Sequence, residues 1–112
     1  MGKPSRDKGK RGERELAKEL TRLFGIECRR GVQYQGGPDS PDIAGMPGVH
    51  WECKHVQAFQ LRRSLAQAVD ECGEAIPVVA QRGNREEWVA VVRLEDLPAL
   101  AVKIYHIMAA NQ

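Results

Sequence analysis

The sequence predicts an α/β domain with a mixed central sheet flanked by helices, and two patterns support this prediction. Apolar residues recur at helical spacing in three segments. Short runs rich in β-branched residues lie between these segments, separated by turns that contain Gly or Pro. The predicted element order is α-β-β-β-α-β-β-α. A chain of 112 residues has room for one such domain and not for two.

The first helix is predicted to begin at about Gly12 and to end at Gly25, because apolar residues recur every three or four positions between them. A short strand over 26–30 and a Gly- and Pro-rich loop follow. Residues 42–45 and 49–54 have strand character on either side of a tight turn. We therefore expect these two strands to pair as a hairpin.

The second half of the chain begins with another amphipathic helix, predicted over 61–72. An apolar run over 76–80 predicts a buried strand, and residues 88–92 predict another strand after a turn. Asp96 is a favourable N-cap for a final helix that runs to about Ala109. No linker or internal repeat interrupts this order.

The composition, 42% hydrophobic and 29% charged, is typical of a folded globular protein. No apolar run approaches the roughly 18 residues that suggest a membrane span, and the N-terminus lacks the hydrophobic segment of a signal peptide. We therefore expect a cytoplasmic protein without a membrane partner. The three cysteines lack CxxC spacing, which argues against a zinc site and a disulfide framework.

Positive charge is concentrated at the N-terminus although the net charge is only +2. Six of the first fourteen residues are basic: Lys3, Arg6, Lys8, Lys10, Arg11 and Arg14. Such an excess suits contact with nucleic-acid phosphates, and the alternative is a solvated tail. We divide the chain into a basic arm (1–11) and a folded domain (12–112), and Lys8, Lys10, Arg11 and Arg14 are candidate DNA-binding residues.

The third predicted strand carries the strongest chemical signal. Alternation places Glu52 and Lys54 side by side on one face together with His50, and Asp42 opens the preceding strand. Carboxylate and carbonyl oxygens hold Mg²⁺, which activates water for phosphodiester hydrolysis. Asp42, Glu52 and the backbone carbonyl of Cys53 are therefore candidate ligands for Mg²⁺, with Mn²⁺ as a substitute. Lys54 either orients the water or stabilises transition-state charge.

Two further acids bear on this site. Glu13 lies on the apolar stripe of the first helix, where a carboxylate needs a partner. We interpret it as a third acidic group in or beside the metal site, and the alternative is a favourable charge at the helix N-terminus. Asp39 also follows a proline, but it lies in the loop, whereas a strand holds Asp42 rigidly.

The segments KGKRGERELAKEL, FGIECRRG, PDIAG and WECK resemble the archaeal-type Holliday-junction resolvases and their phage relatives, within the PD-(D/E)xK nuclease superfamily. The resemblance covers about the first half of the chain. It implies a single restriction-endonuclease-like domain. It also implies that Glu13, Asp42, Glu52 and Lys54 are catalytic and that Arg14 and Arg30 are DNA-binding residues beside them.

The resemblance further implies a homodimer that nicks four-way DNA junctions with Mg²⁺. The loop Gly31–Ser40 is a candidate DNA contact, although it is longer than is typical of that family and carries Tyr34. Tyr34 either stacks on an exposed base or packs on the surface. Gln67 is a candidate accessory residue, because related nucleases often direct a Gln or Lys from this helix at the metal site, and the alternative is a solvated polar face.

The leading functional hypothesis is thus a metal-dependent, structure-specific DNA endonuclease, a Holliday-junction resolvase of a bacterium or a phage-infected host cell. One alternative is a nuclease of the same fold that cuts flaps, single strands or duplexes. Another is a non-cleaving DNA-binding module in recombination or replication. A regulatory DNA-binding protein would need Arg62 and Arg63 on a recognition helix, and no helix-turn-helix spacing accompanies them.

Overall fold

The computed structural model describes the backbone of residues 2–31 and 41–111 and the side chains of residues 9–31 and 41–111. The elements follow the predicted order, with a 3₁₀ turn (Leu94–Asp96) before the last helix. The helices are α1 (Gly2–Phe24), α2 (Leu61–Glu71) and α3 (Leu97–Ala110). The strands are β1 (Arg29–Arg30), β2 (Ile43–Ala44), β3 (Val49–His55), β4 (Ile76–Arg82) and β5 (Val89–Val91).

β4 is the central strand of a three-stranded mixed sheet, with β3 and β5 on either side. β3 and β4 pair in parallel from Val49 opposite Ile76 to His55 opposite Arg82. β5 pairs with β4 in the antiparallel sense. A parallel pair needs a long crossover connection, and α2 provides it. The described residues therefore form the predicted mixed α/β domain, in agreement with a restriction-endonuclease-like fold.

Helices cover both faces of this sheet. Leu16 of α1 belongs to one core cluster with Trp51 of β3, Val78 of β4 and Leu100 of α3. On the opposite face, Leu65 and Ala68 of α2 pack against Val79 of β4. Val78 and Val79 are both completely buried, because neighbouring residues of β4 point to opposite faces and each face is covered. β3 therefore has an α1 face and an α2 face.

The expected hairpin between β2 and β3 is wrong in its pairing. β2 forms its ladder with β1, with Arg30 opposite Ile43, and the two make a separate antiparallel pair. The chain leaves β2 after two residues because Gly45 and Gly48 adopt positive φ angles of 120° and 86° around the turn. β2 and β3 stay close, however, because the Asp42 N–H donates a 3.0 Å hydrogen bond to the Trp51 carbonyl.

α1 is longer than predicted, because it begins at Gly2 and not near Gly12. The basic residues of this segment have high helix propensity, so their charge does not prevent helix formation. Pro4 falls within the first turn, where a backbone N–H has no helical partner to lose. The basic arm is therefore continuous with the first helix of the domain, and its separate functional role stays a prediction.

Asp96 occupies the predicted N-cap position of α3 but does not cap it. Its backbone is helical (φ −89°, ψ −10°), whereas a capping residue normally has an extended backbone. The carboxylate instead accepts a 2.8 Å hydrogen bond from Nε of Arg93. Within the described part of the chain, no helix has the length and hydropathy needed to cross a membrane.

Candidate active site

The alternation of β3 places its charged residues on the α2 face of the sheet. Glu52 lies opposite Val79 in the ladder, and Lys54 lies opposite Gln81. Because Val79 packs against α2, Glu52 faces α2 as well. His50 and Glu52 are almost fully buried, with 2% and 4% of their surfaces exposed. The face that the sequence marks as charged is thus an enclosed polar site beneath α2.

Asp42 is held at the free edge of β3. Its Oδ2 accepts a 2.8 Å hydrogen bond from the Cys53 backbone N–H, and its own N–H binds the Trp51 carbonyl. The N–H and C=O of one strand residue point towards the same edge, so the Cys53 carbonyl faces this edge too. The Asp42 carboxylate and the Cys53 carbonyl, both predicted metal ligands, therefore lie on the same side of β3.

Glu13 approaches the same region from α1. Its Oε1 accepts a 2.8 Å hydrogen bond from Nε of Arg30, which joins two residues that the sequence singled out. Burial raises the pKa of Glu13, and the charge of Asp42 raises it further, whereas the hydrogen bond from Arg30 lowers it. Arg30 is the partner that a carboxylate on the apolar stripe of α1 requires.

The charges of three acids act on the Cys53 thiol. Its pKa is strongly raised, first by burial and then by the charges of Asp42, Glu13 and Glu52. Lys54 acts in the opposite direction and lowers this pKa. All four predicted catalytic side chains therefore influence the pKa of this one thiol.

Glu52 has two close partners whose roles the sequence reasoning missed. His50 Nε2 lies 3.0 Å from Glu52 Oε1. Burial raises the pKa of Glu52, the hydrogen bond with His50 lowers it, and Asp42 and Glu71 raise it further. The sequence alone gives His50 no more than a place at the rim of the site and gives Glu71 no role. The strand alternation signals His50, whereas Glu71 becomes a neighbour only through the packing of α2.

α2 also contributes Gln67, the predicted accessory residue. Lys54 Nζ donates a 3.1 Å hydrogen bond to Gln67 Oε1. Gln67 and Glu71 are four residues apart, so both lie on the side of α2 that faces β3. The helix therefore places one polar side chain beside Lys54 and another beside Glu52.

The potential ligands fit a hard divalent cation, and they include two residues that the sequence did not predict as ligands. Among the described residues, one group of three potential ligands has its atoms within 4.8 Å of one another, and it consists of His50, Glu52 and Glu71. Asp42 lies outside that group and contacts the backbone of Cys53. Burial raises the pKa values of Glu13 and Glu52, and the charge of Asp42 raises both further, a repulsion that a cation would relieve. Carboxylate oxygens are compatible with Mg²⁺ and Mn²⁺, and the imidazole favours Mn²⁺ over Mg²⁺.

The predicted DNA-binding residues lie mainly along α1. Lys10, Arg11 and Arg14 are exposed there, whereas Arg30 is half-buried and bound to Glu13. The side chain of Lys8, and Tyr34 with most of its loop, lie outside the described residues. Glu15 of α1 is only partly exposed, and its Oε2 lies 3.6 Å from Nη1 of Arg82.

Comparison with protein families gives one finding. A family model described as "phage putative PDDEXK endonuclease" matches residues 4–111. No significant match was found among curated proteins or among solved structures. The matched region includes α2, β4, β5 and α3, so it extends well beyond the first half of the chain, where the motifs lie.

Proposed function

Because the chain belongs to the phage PDDEXK endonuclease family, we propose that it is a metal-dependent, structure-specific DNA endonuclease, and more narrowly a Holliday-junction resolvase. Nuclease activity is what the family provides. The observation that carries the assignment of the site is the 2.8 Å hydrogen bond from the Cys53 N–H to Asp42 Oδ2, which holds Asp42 beside Glu52 and Lys54 of β3. In this proposal the protein acts in the cytoplasm of a bacterium or a phage-infected host cell.

In this proposal Asp42, Glu52 and the Cys53 carbonyl hold a Mg²⁺ ion, which Mn²⁺ can replace. When bound, such an ion neutralises charge on the phosphate and lowers the pKa of an attacking water. Glu13 adds negative charge beside the ligands. Lys54, oriented by Gln67, contributes a positive charge at the end of β3 where the scissile phosphate would lie.

Junction resolution needs two cuts, and we propose that a homodimer makes them. α3 is apolar around almost its whole circumference, although only Leu100 and Ile107 are buried. Leu97, Val102 and Tyr105 are 46%, 55% and 70% exposed. An apolar helix face of this kind favours association, and a second copy of the chain is the partner that symmetric nicking requires.

The test is cleavage of end-labelled four-way junction, flap, single-stranded and linear duplex DNA with Mg²⁺. A resolvase makes symmetric nicks in the junction alone. Comparable cutting of the other substrates would reject the junction specificity and leave a broader nuclease of the same fold.

A metal-dependent melting experiment addresses the alternative of a non-cleaving module. The proposal predicts that Mg²⁺ or Mn²⁺ raises the melting temperature of the wild type and that Asp42→Asn abolishes this rise. DNA binding without cleavage, together with an unchanged melting temperature, would instead favour the inactive module.

A further inference from the structure

A basic cavity lies beyond the ends of β3 and β4, next to α1. Its volume is about 650 Å³. Arg11 and Glu15 of α1, His55 of β3, Arg82 of β4, and Asn84 and Arg85 of the following turn line it. Three separate elements thus contribute three arginines to the lining, together with one glutamate. We call these six residues the arginine pocket.

Arg82 is fixed in orientation within the arginine pocket. Its Nη1 lies 3.6 Å from Glu15 Oε2, and its guanidinium carbon lies 5.8 Å from the centre of the Trp88 ring. The contact with Glu15 is an ion pair that is too long for a good hydrogen bond. Arg82 is therefore preorganised while N–H groups stay available for another acceptor.

The turn that carries Arg85 is also held in place. Arg85 has a φ of 61°, a backbone conformation that residues other than Gly rarely adopt. The Gly83 N–H donates to Glu86 Oε1 at 2.9 Å, and the Asn84 N–H donates to Gln57 Oε1 at 2.8 Å. These bonds fix the turn on both sides, and the strained residue of the turn is the one that brings a guanidinium to the pocket.

The arginine pocket and the candidate active site share two elements. His55 directly follows Lys54 on β3, and Arg11 and Glu15 lie on either side of Glu13 in the sequence of α1. Neighbouring residues of a strand point to opposite faces, so His55 lies on the α1 face of β3 whereas Lys54 lies on the α2 face. The pocket is therefore separate from the candidate active site, although both are built on α1 and β3, and it suits a phosphate other than the scissile one.

We propose that the arginine pocket binds an internal backbone phosphate of the DNA, other than the scissile phosphate. This inference rests on the proposed nuclease function and names a subsite for its substrate. The planar fork of arginine suits phosphate oxygens, and three such forks in one cavity match an anionic group better than separate surface charges do.

The test compares Arg85→Gln with Arg22→Gln in the full-length chain. Both residues have solvent-accessible side chains, and each variant removes one positive charge. Arg22 is eleven positions beyond Arg11, about 16 Å further along α1, and is paired with Glu19. DNA binding is measured by fluorescence anisotropy in EDTA, over a salt series, with a four-way junction that has 5′-hydroxyl ends.

We expect Arg85→Gln to weaken binding by roughly tenfold and to reduce the slope of log K against log salt by about one, while Arg22→Gln changes neither. If the two variants had the same DNA affinity and the same salt slope, at unchanged melting temperatures, the proposed phosphate binding by the pocket would be rejected. The loss should be the same for DNA with 5′-phosphate ends. If Arg85→Gln lost affinity only for 5′-phosphorylated DNA, the pocket would bind a terminal phosphate, and the proposal of an internal phosphate would be rejected.

The two proposals can fail separately. If the wild type cleaves DNA and Arg85→Gln binds normally, the nuclease survives and the pocket is rejected. If the wild type never cleaves but Arg85→Gln selectively weakens binding, the pocket survives and the enzymatic function is rejected.

Discussion

Arg30 Nε lies 2.8 Å from Glu13 Oε1, so β1 supplies the partner of the acid that α1 carries towards Asp42. Both side chains are at least two-thirds buried, with exposures of 32% for Arg30 and 17% for Glu13. A partly buried carboxylate with a single strong partner depends on that partner. The pair therefore links the stability of the fold to the electrostatics of the site.

The first prediction is that Arg30→Gln lowers the free energy of unfolding by about 1–3 kcal/mol, because it leaves a partly buried carboxylate without its cation. Glu13→Gln combined with Arg30→Gln should cost less than the two single losses added together. Urea unfolding of the wild type, the two single variants and the double variant gives the coupling energy. A coupling near zero would mean that the pair contributes nothing to folding.

The second prediction concerns the approach of α1 to β3. A Cβ atom added to Gly12 would lie 2.7 Å from Cβ of His55, whereas one added to Gly9 meets nothing within 4 Å. Gly12→Ala should therefore destabilise the protein by about 1–3 kcal/mol. Gly9→Ala, the matched control, should stabilise it by up to about 1 kcal/mol through helix propensity. Equal thermal stability of the two variants would contradict the close approach.

The third prediction is that His50→Ala slows cleavage by roughly 10- to 100-fold and raises the Mg²⁺ concentration needed for half-maximal rate, because His50 orients Glu52. His50→Gln can still donate a hydrogen bond and should recover part of the rate. His106→Ala, on the exposed side of α3, serves as the control. A wild-type rate and wild-type Mg²⁺ dependence in His50→Ala would remove His50 from the site.

The fourth prediction concerns association through α3. A charge introduced at the exposed Val102 should shift the protein from dimer to monomer, because it would have to be buried in an apolar interface. Light scattering at micromolar concentration compares Val102→Asp with Ala66→Asp, an equivalent change at an exposed position of α2. A wild type that is already monomeric would refute the dimer and, with it, paired nicking.

Local sequence patterns were sufficient to predict the order of helices and strands. Strand alternation placed Glu52 and Lys54 on one face, and the ladder with β4 agrees with this. Helical periodicity also identified Glu13 as an acid on the apolar side of α1. These inferences succeeded because each depends on residues within one element.

The remaining features depend on contacts between elements, which no local pattern encodes. Glu71 reaches Glu52 only because α2 crosses from β3 to β4 over that face of the sheet. The ladder of β2 with β1, and not with β3, depends on backbone angles at Gly45 and Gly48. The 3₁₀ turn before α3 similarly redirected Asp96 from capping to Arg93.

The most direct test of the central claim is single-turnover cleavage of DNA by the wild type, Asp42→Asn and Cys53→Ala in the presence of Mg²⁺. The amide oxygen introduced by Asp42→Asn can still accept the hydrogen bond from the Cys53 N–H, so this variant should fold normally while losing a negative charge. Cys53 contributes its backbone carbonyl, so Cys53→Ala should retain cleavage. The account predicts metal-dependent cleavage by the wild type and Cys53→Ala and its loss by roughly a thousandfold or more in Asp42→Asn. Undiminished cleavage by Asp42→Asn would contradict it.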